Sequence, residues 1–404
     1  MIVAGGGIGG LTVALALAKT GIRSLVLERS PTPQQAGAGI QITPNAGRIL
    51  AELGLEGDID RLCSKPEAMH VRSWRGKRIV TLPFGPRFAR RYGAPYRTIH
   101  RSDLLKVLLD ATEASELSEL SLGQTVVEFA LHPRGLTVMA EQGGHHVEYS
   151  ASGLIAADGV GSFVRSVMPG GRPRLPTRHT AWRTIVQATD APQAVDADII
   201  GLWLGPNGHI VHYPVRGGSE FNVVVVSPDT KSRGTAGFDE VRHRFRRWAD
   251  PVLELLDTGH DWEPWPIATV HPSGPWASGP VALLGDAAHA MTPYLAQGGA
   301  MAIEDAAVLA SALSAAPDDV ETAFARYSLA RKPRVRRVWR AARGTAELYH
   351  MGAVTGSIRN VAMRLLGGGG LGWRYRWIYR WRPPKGKTRR PRTARSVSQN
   401  AKTS

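Results

Sequence analysis

Apolar residues follow two rhythms along this chain. At the N-terminus, Ile2-Val3-Ala4 runs straight into Gly5-Gly6-Gly7-Ile8-Gly9-Gly10. A continuous apolar run this short, bounded by glycine, predicts a buried strand. Leu11 to Lys19 is rich in Ala and Leu, contains no breaker and is followed by Gly21, which fits a helix closed at its C′ position. Ile22 to Leu27 predicts a second strand, ending at Glu28-Arg29. Strand, glycine turn, helix and strand form a complete βαβ unit.

The short-strand signature returns twice. Gly153-Leu154-Ile155-Ala156-Ala157 leads into Asp158-Gly159, and Val281-Ala282-Leu283-Leu284 leads into Gly285-Asp286. Between these blocks the rhythm changes to period two. Thr125 to Tyr149 alternates, with Gly and His-Pro breaks, and predicts antiparallel hairpins. Further β-rich runs lie at 198–204, 209–215 and 222–227. Helical spacing is found through Leu50 to Leu53 ahead of Gly54, and from Leu104 to Ala111 with Ser102 or Asp103 as N-cap. It returns from Ala300 to Leu313, and then in two stretches, 318–332 and 334 to about 348, separated at Pro333. The fold class expected is α/β: a Rossmann-like nucleotide-binding half, interrupted by β-rich insertions and finished by C-terminal helices.

Composition narrows the class. With 404 residues, 43% hydrophobic and 21% charged, the chain can bury a large core. The single cysteine, Cys63, excludes a disulfide framework and a Cys-rich zinc site; no metal site is expected. No apolar run approaches the length of a membrane span and no basic leader precedes Ile2, so a cytoplasmic protein is expected. Only three strand residues precede Gly5, which raises the expectation that a few residues are missing there. The net charge of +16 is mostly a tail: residues 374–404 hold 11 Lys/Arg and no Asp/Glu, and the rest carries +5. Residues 383–404 are expected to form a basic disordered tail, with contact to an anionic surface as the sharper alternative; no nucleic-acid motif is present.

The glycines have separate tasks. Gly5 allows the tight turn, Gly7 lets a pyrophosphate approach the backbone, and Gly10 lets helix and strand pack closely. The helix N-terminus then faces the phosphates. Glu28, 23 residues past Gly5, can accept hydrogen bonds from ribose hydroxyls, which suits FAD or NAD and not NADP.

Three apolar strands thus end in glycine and an acid, and strand ends are where a doubly wound sheet binds its ligand. With Ala157-Asp158-Gly159-Val160-Gly161-Ser162-Phe163-Val164-Arg165, and with Gly285-Asp286-Ala287-Ala288-His289-Ala290-Met291-Thr292-Pro293 continuing through Gln297-Gly298-Gly299 to Glu304-Asp305-Ala306, the chain resembles the group A FAD-dependent aromatic hydroxylases of the p-hydroxybenzoate hydroxylase fold. The resemblance extends to about Trp381.

It implies a discontinuous FAD-binding domain (1–70, 97–170 and 270–340), a substrate-binding β-sheet domain (71–96 and 171–269) and a C-terminal helical segment (341–382). Gly5, Gly7, Gly10, Glu28 and Arg29 would hold the ADP part of FAD, and Arg101 the pyrophosphate. Asp286 would bind the ribityl chain; Gln41, Pro293, Gly298 and Gly299 would lie near the isoalloxazine, with Gln297 facing its front. Asp158 opens a second fingerprint shared by FAD and a transient NADH or NADPH. His289 is expected to be structural. Period two puts His209, Val211 and Tyr213 on one face of a strand. The His-x-x-x-Tyr spacing is similar to that of salicylate-, 3-hydroxybenzoate- and 6-hydroxynicotinate-type hydroxylases, where such residues bind and deprotonate a phenol. His209 and Tyr213 are therefore expected as catalytic and substrate residues, with Gln297 as a further catalytic residue and Arg183 a candidate for a substrate carboxylate. The implied reaction uses NAD(P)H and O2 to hydroxylate a phenolic acid through a flavin C4a-hydroperoxide. Alternatives of the same fold are urate hydroxylation, alkene epoxidation, natural-product tailoring, or a flavoprotein reductase or redox binding protein without oxygenase activity.

Overall fold

A computed structural model describes residues 1–32, 38–133, 135–229 and 234–384. The basic tail, from 385 onward, lies outside the described residues.

The strands Ile2–Ala4, Leu154–Ala156 and Val281–Leu283 are each three residues long and wholly buried. They are adjacent and parallel, in register as Ile2↔Leu154↔Val281 and Ala4↔Ala156↔Leu283. A strand covered on both faces needs apolar side chains on both, which is why these runs are continuous rather than alternating. Ser24–Glu28 and Ser118–Leu122 extend the sheet on one side, and Ala277–Ser278 closes the other as an antiparallel edge. In-register parallel pairing has one consequence for everything that follows: Gly5, Asp158 and Asp286 leave the sheet at the same edge.

Helices Ile8–Lys19, Arg101–Glu113 and Gly298–Ala315 cover this sheet, joined by the antiparallel strands Thr125–His132, Gly135–Gln142 and His145–Ala151, whose Leu136, Val138 and Ala140 enter the same core. The helix at Arg101 begins one turn earlier than expected. His100 is its N-cap, while Ser102 bonds to the His100 ring and the Asp103 carboxylate pairs with Arg216.

A seven-stranded sheet forms the second layer, in the order Glu263–Val270, Arg174–Gln187, Glu220–Pro228, Gly208–Val215, Ile199–Gly205, Ala68–Ser73 and Arg78–Pro83. Alternation along its strands separates two environments. Trp182, Ile210, Val223 and Val225 point to helices Gly234–Arg244 and Asp250–Thr258 and pack with Trp248 and Leu255. Arg183, His209, Val211, Tyr213, Val224 and Val226 point the other way, into a cleft against the first layer.

The expected break at Pro333 does not occur. One helix runs Val320–Tyr349 with Pro333 inside it. The neighbouring arginines anchor both sides of the proline: Arg331 reaches Glu304 and Asp305, and Arg334 reaches Glu304 and the carbonyls of Trp377 and Ile378. Tertiary bonds thus offset the lost backbone donor. A last helix, Ala353–Tyr379, is kinked at Gly367. Among the described residues no helix is long and apolar enough to cross a membrane.

Candidate active site

The glycine turn is built for close approach. An added Cβ on Gly10 would sit 1.8 Å from the Gly5 carbonyl oxygen, and one on Gly5, whose φ is +104°, would sit 2.5 Å from that of Ala157. Apart from its own chain neighbours, no atom of the described residues lies within 4 Å of the Cβ position of Gly7. Two glycines are therefore needed for packing, and the third faces open space at the start of the helix Ile8–Lys19. Glu28 ends the neighbouring strand, its carboxylate accepting from the backbone N–H of Gly6 at 2.6 Å and of Ser30 at 2.9 Å. Arg29, next along, is exposed and does not line the cleft.

The cleft has a volume of about 390 Å3 and runs from Gly7 and Gly9 to the inner face of the seven-stranded sheet. Arg101 and Asp286 line it, and neither side chain has a hydrogen-bond partner among the described residues. The protein packed around Asp286 raises its carboxyl above the usual range, while His289 and Arg101 act in the opposite direction. Asp158 lies just behind the lining. Its Oδ2 accepts from Val164 N–H at 3.2 Å, and its Oδ1 is buried without a partner. Burial raises its carboxyl, with Ser162 and Val164 opposing. Arg165 of the same block staples two turns, donating to the carbonyls of Val160 at 2.6 Å and Ala287 at 2.8 Å. Pro293, Gly298 and Gly299 also line the cleft. An open glycine turn, a free guanidinium and two carboxylates with unused acceptors fit an extended dinucleotide such as FAD.

Gln297 departs from the expectation. Its side chain is 1% exposed and faces away from the cleft. It donates to Thr43 Oγ1 at 3.0 Å and accepts from Asn45 Nδ2 at 3.1 Å. Ala296, held at φ +50°, turns the chain inward there. Asn45 in turn reaches Glu304 at 2.7 Å, so these amides belong to a buried network rather than to the cavity. His289 is likewise internal, its Nε2 2.5 Å from Asp305 Oδ2. Burial raises the Asp305 carboxyl, but His289 and Arg331 outweigh it and hold the group below the usual range.

On the opposite layer, His209 and Tyr213 share the cleft face with Val211. Gly39 makes room for the Tyr213 ring, since a Cβ there would lie 2.5 Å from Cε2. Burial pushes the Tyr213 phenol well up and the His209 imidazole well down. His212 points to the other side of the sheet, where burial and Arg72 lower it to about 4. Gln41 lines the cleft and accepts from Tyr96 Oη at 2.6 Å.

Arg183 is a half-buried cation on this wall. It makes no hydrogen bond or ion pair among the described residues and lies over the Trp265 ring at 5.0 Å. Burial lowers its pKa. No carboxylate bonds this guanidinium, although Glu263 on the facing strand and Tyr213 oppose the effect of burial, and an anionic ligand would relieve the remaining desolvation cost. Trp265 and His350, which bonds His209, were not legible in the sequence. The first sits in a Pro-broken strand, and the second follows a helix that was expected to break at Pro333.

Comparison with known proteins bears on this arrangement. A family described as FAD binding domain matches residues 1–342. The 3-hydroxybenzoate 6-hydroxylase of Polaromonas naphthalenivorans is 35% identical over 365 residues, spanning 89% of this chain and 90% of that protein. The 3-amino-4-hydroxybenzoate 2-monooxygenase PtnB3 of Streptomyces platensis is 37% identical over 355 residues, 86% of this chain and 88% of its own. Among solved structures, Klebsiella pneumoniae HpxO complexed with FAD and uric acid superposes with a TM-score of 0.80 at 27% identity, covering 92% of this chain and 94% of that one.

Proposed function

This chain belongs to the FAD binding domain family, among its FAD-dependent aromatic hydroxylases, and from that premise we propose that its substrate is a phenolic acid, a small ring bearing a hydroxyl and a carboxylate. When bound, FAD supplies the redox chemistry, accepting hydride from NADH or NADPH and delivering one atom of O2 to the ring. The chain's own residues do the rest.

Gly5, Gly7 and Gly10 form the pyrophosphate cradle, with Arg101 as its counter-charge and Glu28 on the ribose. Asp286 holds the ribityl hydroxyls, and Pro293, Gly298 and Gly299 border the ring system. Arg183 takes the substrate carboxylate in the plane of its guanidinium. His209 accepts the phenolic proton at Nε2, since its Nδ1 is bonded to His350. Tyr213, held neutral by burial, donates to the phenolate oxygen. Val211, Val224 and Val226 exclude water from the reacting ring.

The observation that carries this reading is Arg183, without a hydrogen bond or ion pair among the described residues, on the same cleft wall as His209 and Tyr213. Its test is turnover of 3-hydroxybenzoate, 3-amino-4-hydroxybenzoate, salicylate and urate with NADH and with NADPH, following oxygen uptake and product mass. We expect a phenolic acid to gain one oxygen atom per nicotinamide oxidised. Arg183→Met should raise KM for the acid about tenfold or more, and should matter little for the matching phenol without a carboxylate. Equal turnover of acid and plain phenol, or a purified protein that binds no flavin, would remove the reading.

A further inference from the structure

We infer that His350 is the second member of a proton relay that carries the substrate's phenolic proton from His209 out of the cleft to solvent. The inference rests on His209 as the base of the proposed reaction. Its observation is separate. His209 is 3% exposed and lines the cleft, yet its Nδ1 lies 2.9 Å from Nε2 of His350, 141 positions away. His350 is only half-buried, and its ring stacks on His179, also half-buried, at 5.1 Å. Three imidazoles thus lead from the cavity wall toward the surface.

The protons balance. The relay uses the tautomer in which His209 Nδ1–H donates to His350 Nε2, which leaves His209 Nε2 as the acceptor for the substrate. The phenol O–H bond breaks as its proton joins His209 Nε2. The His209 Nδ1 proton passes to His350 Nε2, and the His350 Nδ1 proton leaves to water. A phenolate and one solvent proton result, with both rings neutral and their tautomers exchanged.

The surroundings favour transit over storage. Tyr294 and Tyr349 enclose the His209 ring at 5.2 and 5.3 Å. Besides these two phenols, the charged and titratable groups acting on the pair are His179 and Arg359, with no carboxylate among them in the described residues. Burial, His350 and His179 keep His209 well below its ordinary range, and burial, His179 and Arg359 hold His350 at about 4. Neither imidazolium is stabilised, so an arriving proton moves on.

His350→Gln separates relay from positioning, because an amide can still accept from His209 Nδ1 but does not pass a proton on. With 3-hydroxybenzoate as probe, stopped-flow absorbance would follow phenolate formation on the FAD-bound enzyme. We expect His350→Gln to keep flavin and probe affinity while ionisation slows about 100-fold, and added imidazole to restore it. Unchanged ionisation in His350→Gln, with ionisation lost in His209→Asn, would overturn the relay alone. Ionisation unaffected by His209→Asn, or absent from the unmodified enzyme, would overturn the base assignment beneath it. If His350→Gln does not fold, a proton inventory of the unmodified enzyme in H2O–D2O mixtures decides: a curved plot reports two protons in flight, and a straight one overturns the relay.

Discussion

Arg331 donates through Nε to Asp305 Oδ1 at 2.6 Å, with both side chains closed to solvent. Asp305 turns its other oxygen to the Gly285 N–H at 3.1 Å and to His289. The pair is therefore the rear support of the turn that presents Asp286 to the cleft. Arg331 also binds Glu304, which Arg334 and Asn45 share. Removing one member of such a set leaves an uncompensated buried charge. Arg331→Met is expected to cost about 3–5 kcal/mol of stability and to lower flavin content. Adding Glu304→Gln and Asp305→Asn should recover part of the stability. Thermal melts and the flavin-to-protein absorbance ratio measure both effects.

The glycine turn separates folding from cofactor binding. Gly10→Ala puts a methyl 1.8 Å from a backbone oxygen, where nothing can yield, so the variant should fail to fold normally. Apart from its own chain neighbours, Gly7→Ala meets no atom of the described residues within 4 Å, and its φ of −77° suits alanine. Its flavin-free melting temperature should match that of the unmodified protein, while FAD affinity should drop about tenfold or more, equal to ~1.4 kcal/mol. Flavin fluorescence titration of the two apoproteins provides the comparison. Equal FAD affinity in Gly7→Ala would place the pyrophosphate elsewhere.

Acid should destabilise the fold through its buried histidines. His212 and His350 are both depressed to about 4, chiefly by burial, whereas an unfolded histidine titrates near 6.5. Below about pH 6.5 the unfolded chain takes up protons that the native one refuses, so stability is lost as pH falls toward 4. Each histidine contributes on the order of 1–2 kcal/mol to the loss at pH 5. Denaturant melts at pH 7, 6 and 5 should show the midpoint falling, and His212→Phe should remove its share of that slope. A midpoint constant over this range would contradict the burial of both imidazoles.

The two kinds of information divide along a physical line. Short apolar strands ending at Gly5, Asp158 and Asp286 were legible because a doubly covered parallel strand must be apolar on both faces and must stop where its ligand begins. Period two likewise grouped His209, Val211 and Tyr213, since pleating leaves no other choice. Local pattern carried no word of what those faces would meet. The inward turn of Gln297 depends on one left-handed backbone at Ala296, and the arrival of His350 depends on a helix that passes Pro333 because Arg331 and Arg334 are anchored from elsewhere. Periodicity, which reads neighbours a few positions apart, assigns elements and faces; bonds between residues 26, 141 or more than 250 positions apart exist only once the layers are packed.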